Sequence, residues 1–242
     1  MAARKIRLEE IPSQIVDLGM KEGATDVVAN LVKSQKIMIR FSNNEVSVSK
    51  IFLESVVDVF VMVEKHRATT SISTLSMRNI KKVVKNLVKV AKATPPADVY
   101  APLPQGPFKY DPSLLKAPYF SLNPDTLTAY VNEAIKGALE KGAERAAGTL
   151  NAYRGKMYLA TSGNVNASQE ISGLEISVRA FVSEVATGHA VSIASRPEDF
   201  DPGEAGRIAG EIARASVNPQ PCLLYTSPSP RDLSTSRMPS SA

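Results

Sequence analysis

Two histidines, His66 and His189, and one cysteine, Cys222, are all that the chain offers for imidazole or thiol chemistry. A zinc hydrolase needs about three protein ligands, usually announced by H-E-x-x-H or a related spacing. No such spacing occurs here. Each histidine is expected in a turn between two strands, at corresponding places in two separate parts of the chain. Neither has a placed acid partner that would complete a serine triad. GxxxxGK[ST] and GxGxxG are both absent, and the pairs Glu9-Glu10 and Glu198-Asp199 lie in polar ends. The sequence therefore assigns no catalytic, metal or cofactor-binding residue. The best candidate for an interaction surface is Met77–Ala93, whose polar positions are Arg78, Lys81, Lys82, Lys85, Lys89 and Lys92, without one acid. Such a face could follow phosphates. A solvated helix face is the preferred reading, since no aromatics interleave and no RNP or KH pattern accompanies it.

Cys222–Ala242 reads as translated DNA-library adapter, not as evolved protein. Cys222–Asp232 back-translates to a transposase adapter, and Ser236–Ala242 to the flow-cell end of the same piece. These residues are set aside as a scar, expected to be disordered, and the natural sequence is expected to run on past Pro221. The net charge is +5 for the whole chain. It is +4 without Arg231, Asp232 and Arg237, too mild to indicate a partner. The first residues are charged and lack an apolar segment, and no run approaches the ~18 apolar residues of a membrane span. A cytoplasmic protein with no membrane partner is the expectation.

The elements that would position any site follow from periodicity. Helices are predicted over Leu8–Glu22, Met77–Ala93, Asn123–Lys141 and Asp201–Val217, each with an apolar stripe at 3–4 residue spacing. Strands are predicted over 26–33, 36–41, 46–49, 54–65 and 67–73. A second set covers 145–153, 156–161, 174–187 and 189–195. Matched positions in the two sets are offset by 119 to 121 residues. The fold expected is α+β and two-layer, mostly antiparallel sheets with packed helices, in two helix–four-strand–helix units. The segments are a polar tail (1–7), a first unit (8–93), a connector with seven prolines (94–120), a second unit (121–221) and the adapter-derived tail (222–242). The connector's aromatics, Tyr100, Phe108, Tyr110, Tyr119 and Phe120, predict a strap packed on the surface.

Several of these segments carry a resemblance. Lys21-Glu22-Gly23-Ala24 leads into the first strand. Ser195-Arg196-Pro197-Glu198-Asp199-Phe200-Asp201-Pro202 is followed by Gly206-Arg207-Ile208-Ala209 and Ser216-Val217-Asn218-Pro219-Gln220-Pro221. Over residues 8–221 the chain resembles the N-terminal region of the TldD/PmbA metallopeptidases. It departs at Ser162-Gly163-Asn164-Val165, where the family often has Asn-Ser-x-Gly. The resemblance implies a cytoplasmic peptidase of small or unfolded peptides, active in peptide maturation and paired with a paralogous subunit in a dimer. It also implies zinc in active full-length members, held by a His-Glu-x-x-x-His helix and a cysteine of a C-terminal domain. No zinc ligand is expected in this fragment, which is expected to be inactive, and the gene could encode the subunit type without the motif. Two other readings remain: a non-enzymatic α+β module that takes a peptide or protein by strand addition, and, more weakly, nucleic-acid binding through helix 77–93.

Overall fold

The computed structural model describes residues 7–219; the tail expectation falls outside them. The elements are α1 (Ile11–Lys21), β1 (Asp26–Ser42), β2 (Glu45–Val63), β3 (His66–Ile72), α2 (Met77–Ala93), α3 (Pro124–Glu140), β4 (Arg145–Thr161), β5 (Val165–Phe181), β6 (Thr187–Ala194) and α4 (Pro202–Ala215). The fold is α+β, as expected. Two details differ. Each unit has three strands, not four, because Ser34-Gln35, residues 50–53 and Arg154-Gly155 continue their strands where the polarity suggested breaks. The strands of both units also join into one antiparallel sheet, ordered β3-β2-β1-β4-β5-β6.

The two halves share one topology, related by a pseudo-two-fold axis. β4 begins and ends 119 residues after β1. At that offset Gln35 corresponds to Arg154, and these two residues are paired across the β1–β4 seam, so the axis passes between them. The hairpin turns obey the same symmetry. The Asn44 side chain accepts a hydrogen bond from the Ala146 amide (2.7 Å), while the Ser162 hydroxyl accepts one from the Val27 amide (3.0 Å). Each unit's β-hairpin is thus tied to the first strand of the other. Both α1 and α3 end at a glycine in the left-handed region, Gly23 (φ 93°) and Gly142 (φ 88°). There the amides of Ala24 and Ala143 reach back to the carbonyls of Gly19 and Ala138, a Schellman cap that a Cβ would strain.

Strand alternation puts odd residues of β1 and even residues of β4 on the face that carries the helices. One core lies under α1 and α2, around Val27, Leu31, Val57, Val61, Ile80 and Val84. The other lies under α3 and α4, around Ile37, Phe41, Leu127, Leu150, Ile176 and Ala209. β1 supplies both, its first half to one core and its second half to the other. α3 and α4 approach closely because small residues face each other: a Cβ on Gly206 would stand 2.0 Å from the Ala134 carbonyl oxygen, and one on Gly137 2.2 Å from that of Gly203. This gives the Gly206-x-x-Ala209 spacing its physical reason. Asp201 caps α4 by accepting from the Glu204 amide (2.7 Å), Pro202 occupies its first turn, and Phe200 packs edge-on against Tyr130.

The connector is tied down at several points. Its Ala97 amide donates to the Lys65 carbonyl and its Gly106 amide to the Gly163 carbonyl. The Tyr100 hydroxyl donates to Asp26 Oδ2 at 2.6 Å. That hydrogen bond raises the Tyr100 pKa above its ordinary value, with burial and the Asp26 charge adding to the effect.

Two predictions follow from this packing. Gly206→Ala pushes α4 off α3, because the obstacle is backbone; a loss of about 2–3 kcal/mol is expected in urea unfolding. Tyr100→Phe removes the phenol–carboxylate bond. Because the folded-state pKa is raised, this bond contributes fully below the unfolded phenol pKa of about 10 and is lost as pH rises through the folded value. The stability gap between wild type and variant, followed from pH 8 to 11.5, therefore narrows at the alkaline end. A gap that stays constant would show that the phenol proton is not what ties the strap.

Candidate functional site

The six cations singled out in the sequence all lie on the exposed side of α2, while Ile80, Val84, Leu87, Val88 and Ala91 face the core. Ser76 caps the helix, its hydroxyl accepting from the Asn79 amide. The first turn holds no acid to balance the helix dipole. The result is a positive ridge that the structure brings to no cleft.

The histidines are in strands, not between them, because β3 and β6 begin earlier than their polarity suggests. They are also not equivalent. His66 opens β3 opposite Val63, and the matching residue of the second unit, opposite Val182, is Ala186. His66 Nδ1 is 2.6 Å from the Thr94 carbonyl, a structural bond holding the end of α2. β3 and β6 form opposite edges of the sheet. Five strand spacings of about 4.8 Å set the histidines roughly 24 Å apart. Among the described residues no group of three His, Cys, Asp or Glu side chains could hold a metal. These residues do not fit a zinc site.

His189 has a different neighbour. On the face without helices its Nε2 lies 2.9 Å from the Ser177 hydroxyl, beside Arg179 and Arg40, around a shallow hollow of about 400 Å³. No carboxylate lines this hollow. Without an acid to orient the imidazole, the pair lacks the third member of a triad.

A broad cleft lies on the helix-bearing face, over the pseudo-two-fold axis, between the α1/α2 and α3/α4 layers. It measures about 880 Å³, and its floor carries Lys33, Gln35, Arg154 and Lys156. Lys33 and Lys156 are direct cross-strand partners, a like-charge pairing that costs stability. Glu170, opposite Lys156 on β5, is its nearest acid by register. Arg154 is fixed: its guanidinium donates to the Phe120 carbonyl at 2.7 Å and stacks over Tyr119 at 4.1 Å, pinning the end of the connector. The Ser172 hydroxyl lines the cleft, buried and without a hydrogen-bond partner. This arrangement can bind a polar or anionic chain, but it presents no activated nucleophile. Sequence reasoning missed it. Lys33 and Lys156 sit in two predicted strands far apart in sequence and Arg154 in a predicted break, and only the β1–β4 pairing brings Lys33 to the other two.

A protein-family model, the PmbA/TldA metallopeptidase central domain, matches residues 117–217. The fold recurs in a protein called a modulator of DNA gyrase from Bacteroides thetaiotaomicron, with TM-score 0.70 and 15% identity over 85% of this chain and 49% of that one. It recurs in a like-named protein from Thermotoga maritima, with TM-score 0.63 and 15% identity over 86% and 48%. TldE from Thermococcus kodakarensis gives TM-score 0.66 and 16% identity, again over 86% and 48%. The chain spans about half the length of these structures. No curated protein matches it. Residues 117–217 thus match the central domain of the PmbA/TldA metallopeptidases, and the chain as a whole shares the fold of these solved structures.

Arg154→Ala is expected to lower stability by about 1–2 kcal/mol, the worth of one hydrogen bond and one cation–π contact. Amide exchange over residues 117–122 should accelerate at the same time. Arg154→Lys keeps the charge but not the planar stack, and is expected to restore little of that protection.

Proposed function

We propose that this chain is the amino-terminal portion of a TldD/PmbA-type peptidase, and that it contributes scaffold and docking surface, not hydrolytic groups. The observation that carries this reading is the central-domain match over residues 117–217, in a chain that spans half the length of its structural relatives. In the proposal, small or unfolded peptides are the substrates of the whole protein and a paralogous subunit is its partner. Zinc, where the full-length protein is the active type, is held by residues outside those described here. The reaction is placed in the cytoplasm. No helix among the described residues is long and apolar enough to cross a membrane.

Two measurements test this. The first is the genomic sequence beyond codon 221. Continuation into a further domain with a His-Glu-x-x-x-His helix is the expected result for an active subunit, and the same domain without it for a partner subunit. A stop codon within a few residues overturns the reading. The second is a peptide-cleavage assay of this chain with and without added zinc, beside a His66→Ala, His189→Ala double variant. No cleavage by either protein is expected. Zinc-dependent cleavage that the double variant loses would place the chemistry within this chain.

A further inference from the structure

β2 is 19 residues long, but β3 covers only its last seven, Val57 to Val63. Below Val57 its outer edge has no strand partner among the described residues. At the far end the ladder is interrupted. Val48 pairs with Arg40 and Val46 with Phe41, leaving Ser47 as a bulge. The regular free edge is therefore Val48–Val56, nine residues centred on Phe52. It carries Ile51 and Leu53, 58% and 79% exposed, on the helix-bearing face beyond the reach of either helix pair. The equivalent part of β5 is treated differently. Its residues 165–173 are largely half-buried, Asn166 bonds to Ser13 of α1, and the connector's 112–115 turn lies against the strand. The fold covers one of two equivalent edges and leaves the other open, although a bare apolar edge is a standing template for strand pairing.

The order of residues along this edge says what fits it. Turn the stretch end for end about Phe52 and Lys50 falls on Glu54, Ile51 on Leu53, Ser49 on Ser55 and Val48 on Val56. We propose that two copies of this chain pair antiparallel through β2, residues Val48–Val56, about a two-fold axis at Phe52. Directly opposed residues share a face in such a pair. Lys50 then meets the partner's Glu54 twice on the open face, and Ile51 meets the partner's Leu53 twice on the helix-bearing face. Neighbouring registers are worse. An axis at Ile51 opposes Lys50 to Phe52 and Val48 to Glu54, one at Leu53 opposes Phe52 to Glu54 and Lys50 to Val56, and one at Lys50 opposes two lysines. A strand from an unrelated protein would need no such palindrome. The proposal is independent of the peptidase reading, since the sheet edge exists whatever the whole protein cleaves.

The test uses the full chain with Cys222→Ser, to remove its single cysteine thiol. Sedimentation velocity should show a reversible monomer–dimer equilibrium. The dissociation constant is expected on the order of 10–100 µM, because one strand pair buries less than the ~800 Å² per partner of a standard interface. Lys50→Glu or Glu54→Lys alone should weaken the dimer at least tenfold, and the two together should restore it. Independently of these, Phe52→Cys should give a disulfide-linked dimer on mild oxidation, its partner lying directly opposite. Ile51→Cys, opposed to Leu53, should not. A chain that stays monomeric at several hundred micromolar overturns the proposal. So does a dimer indifferent to both charge variants, or one that the Phe52→Cys thiol fails to trap.

Discussion

Everything in this molecule depends on the pairing of β1 with β4. Fourteen residues of β1, Val28 to Phe41, run antiparallel to Gly148–Thr161, and this one ladder turns two three-stranded units into a six-stranded sheet. Because the side-chain period in a strand is two, a single register fixes both cores at once. Val27, Ala29 and Leu31 point under α1 and α2, and Ile37, Ile39 and Phe41 under α3 and α4. A one-residue slip would turn all six toward the open face. Gly148 protects the register locally. A Cβ there would stand 2.1 Å from the Ser177 carbonyl oxygen and 2.5 Å from the Phe41 ring, so the second core closes only with glycine at that point.

The same ladder creates the cleft. Where β1 passes from one core to the other, the helix layers separate and Lys33 and Gln35 are left exposed on the face that is buried on either side of them. The polar middle of the strand therefore does not break it, as its sequence suggests, but marks the gap between two packing layers. Arg154 uses this gap to hold the connector by way of Phe120 and Tyr119. The Pro-rich segment thus stays on the surface despite lacking regular secondary structure beyond one short turn.

Helices were well legible in the sequence because each is an amphipathic stripe with its own start signal. Ser76, Asn123 and Asp201 all cap by accepting a backbone amide, as their side chains allow. The internal repeat was legible from its nearly constant offset, the strap only in part from its aromatics: Phe120 is buried and Tyr100 is bonded to Asp26, but Phe108, Tyr110 and Tyr119 are exposed. Strand ends were not legible. Ser34-Gln35 looks like a turn because local composition cannot show that a neighbouring strand satisfies its backbone. The cleft was illegible for a related reason: its cations lie in segments more than a hundred residues apart, joined only by tertiary pairing. The cationic ridge of α2 was the opposite case, plain in the sequence and yet attached to no concave site. The family motifs were readable as a resemblance, but their purpose emerged only with α4 pressed on α3.

Because β1 serves both cores, the chain emerges from the ribosome with half of a strand that it cannot yet use. Ile37, Ile39 and Phe41 are made early, but the surfaces that bury them come from α3, β4, β5 and α4, about 85 to 170 residues later. At about 5–20 residues per second the wait is on the order of 5–30 s. During that interval the first unit can assemble its own core under α1 and α2, yet it presents an unpaired β1 edge and a bare apolar end. Nascent chains crowded on one messenger would meet in this state, so what distinguishes the finished fold from an aggregate is the arrival of β4 before another copy's β1.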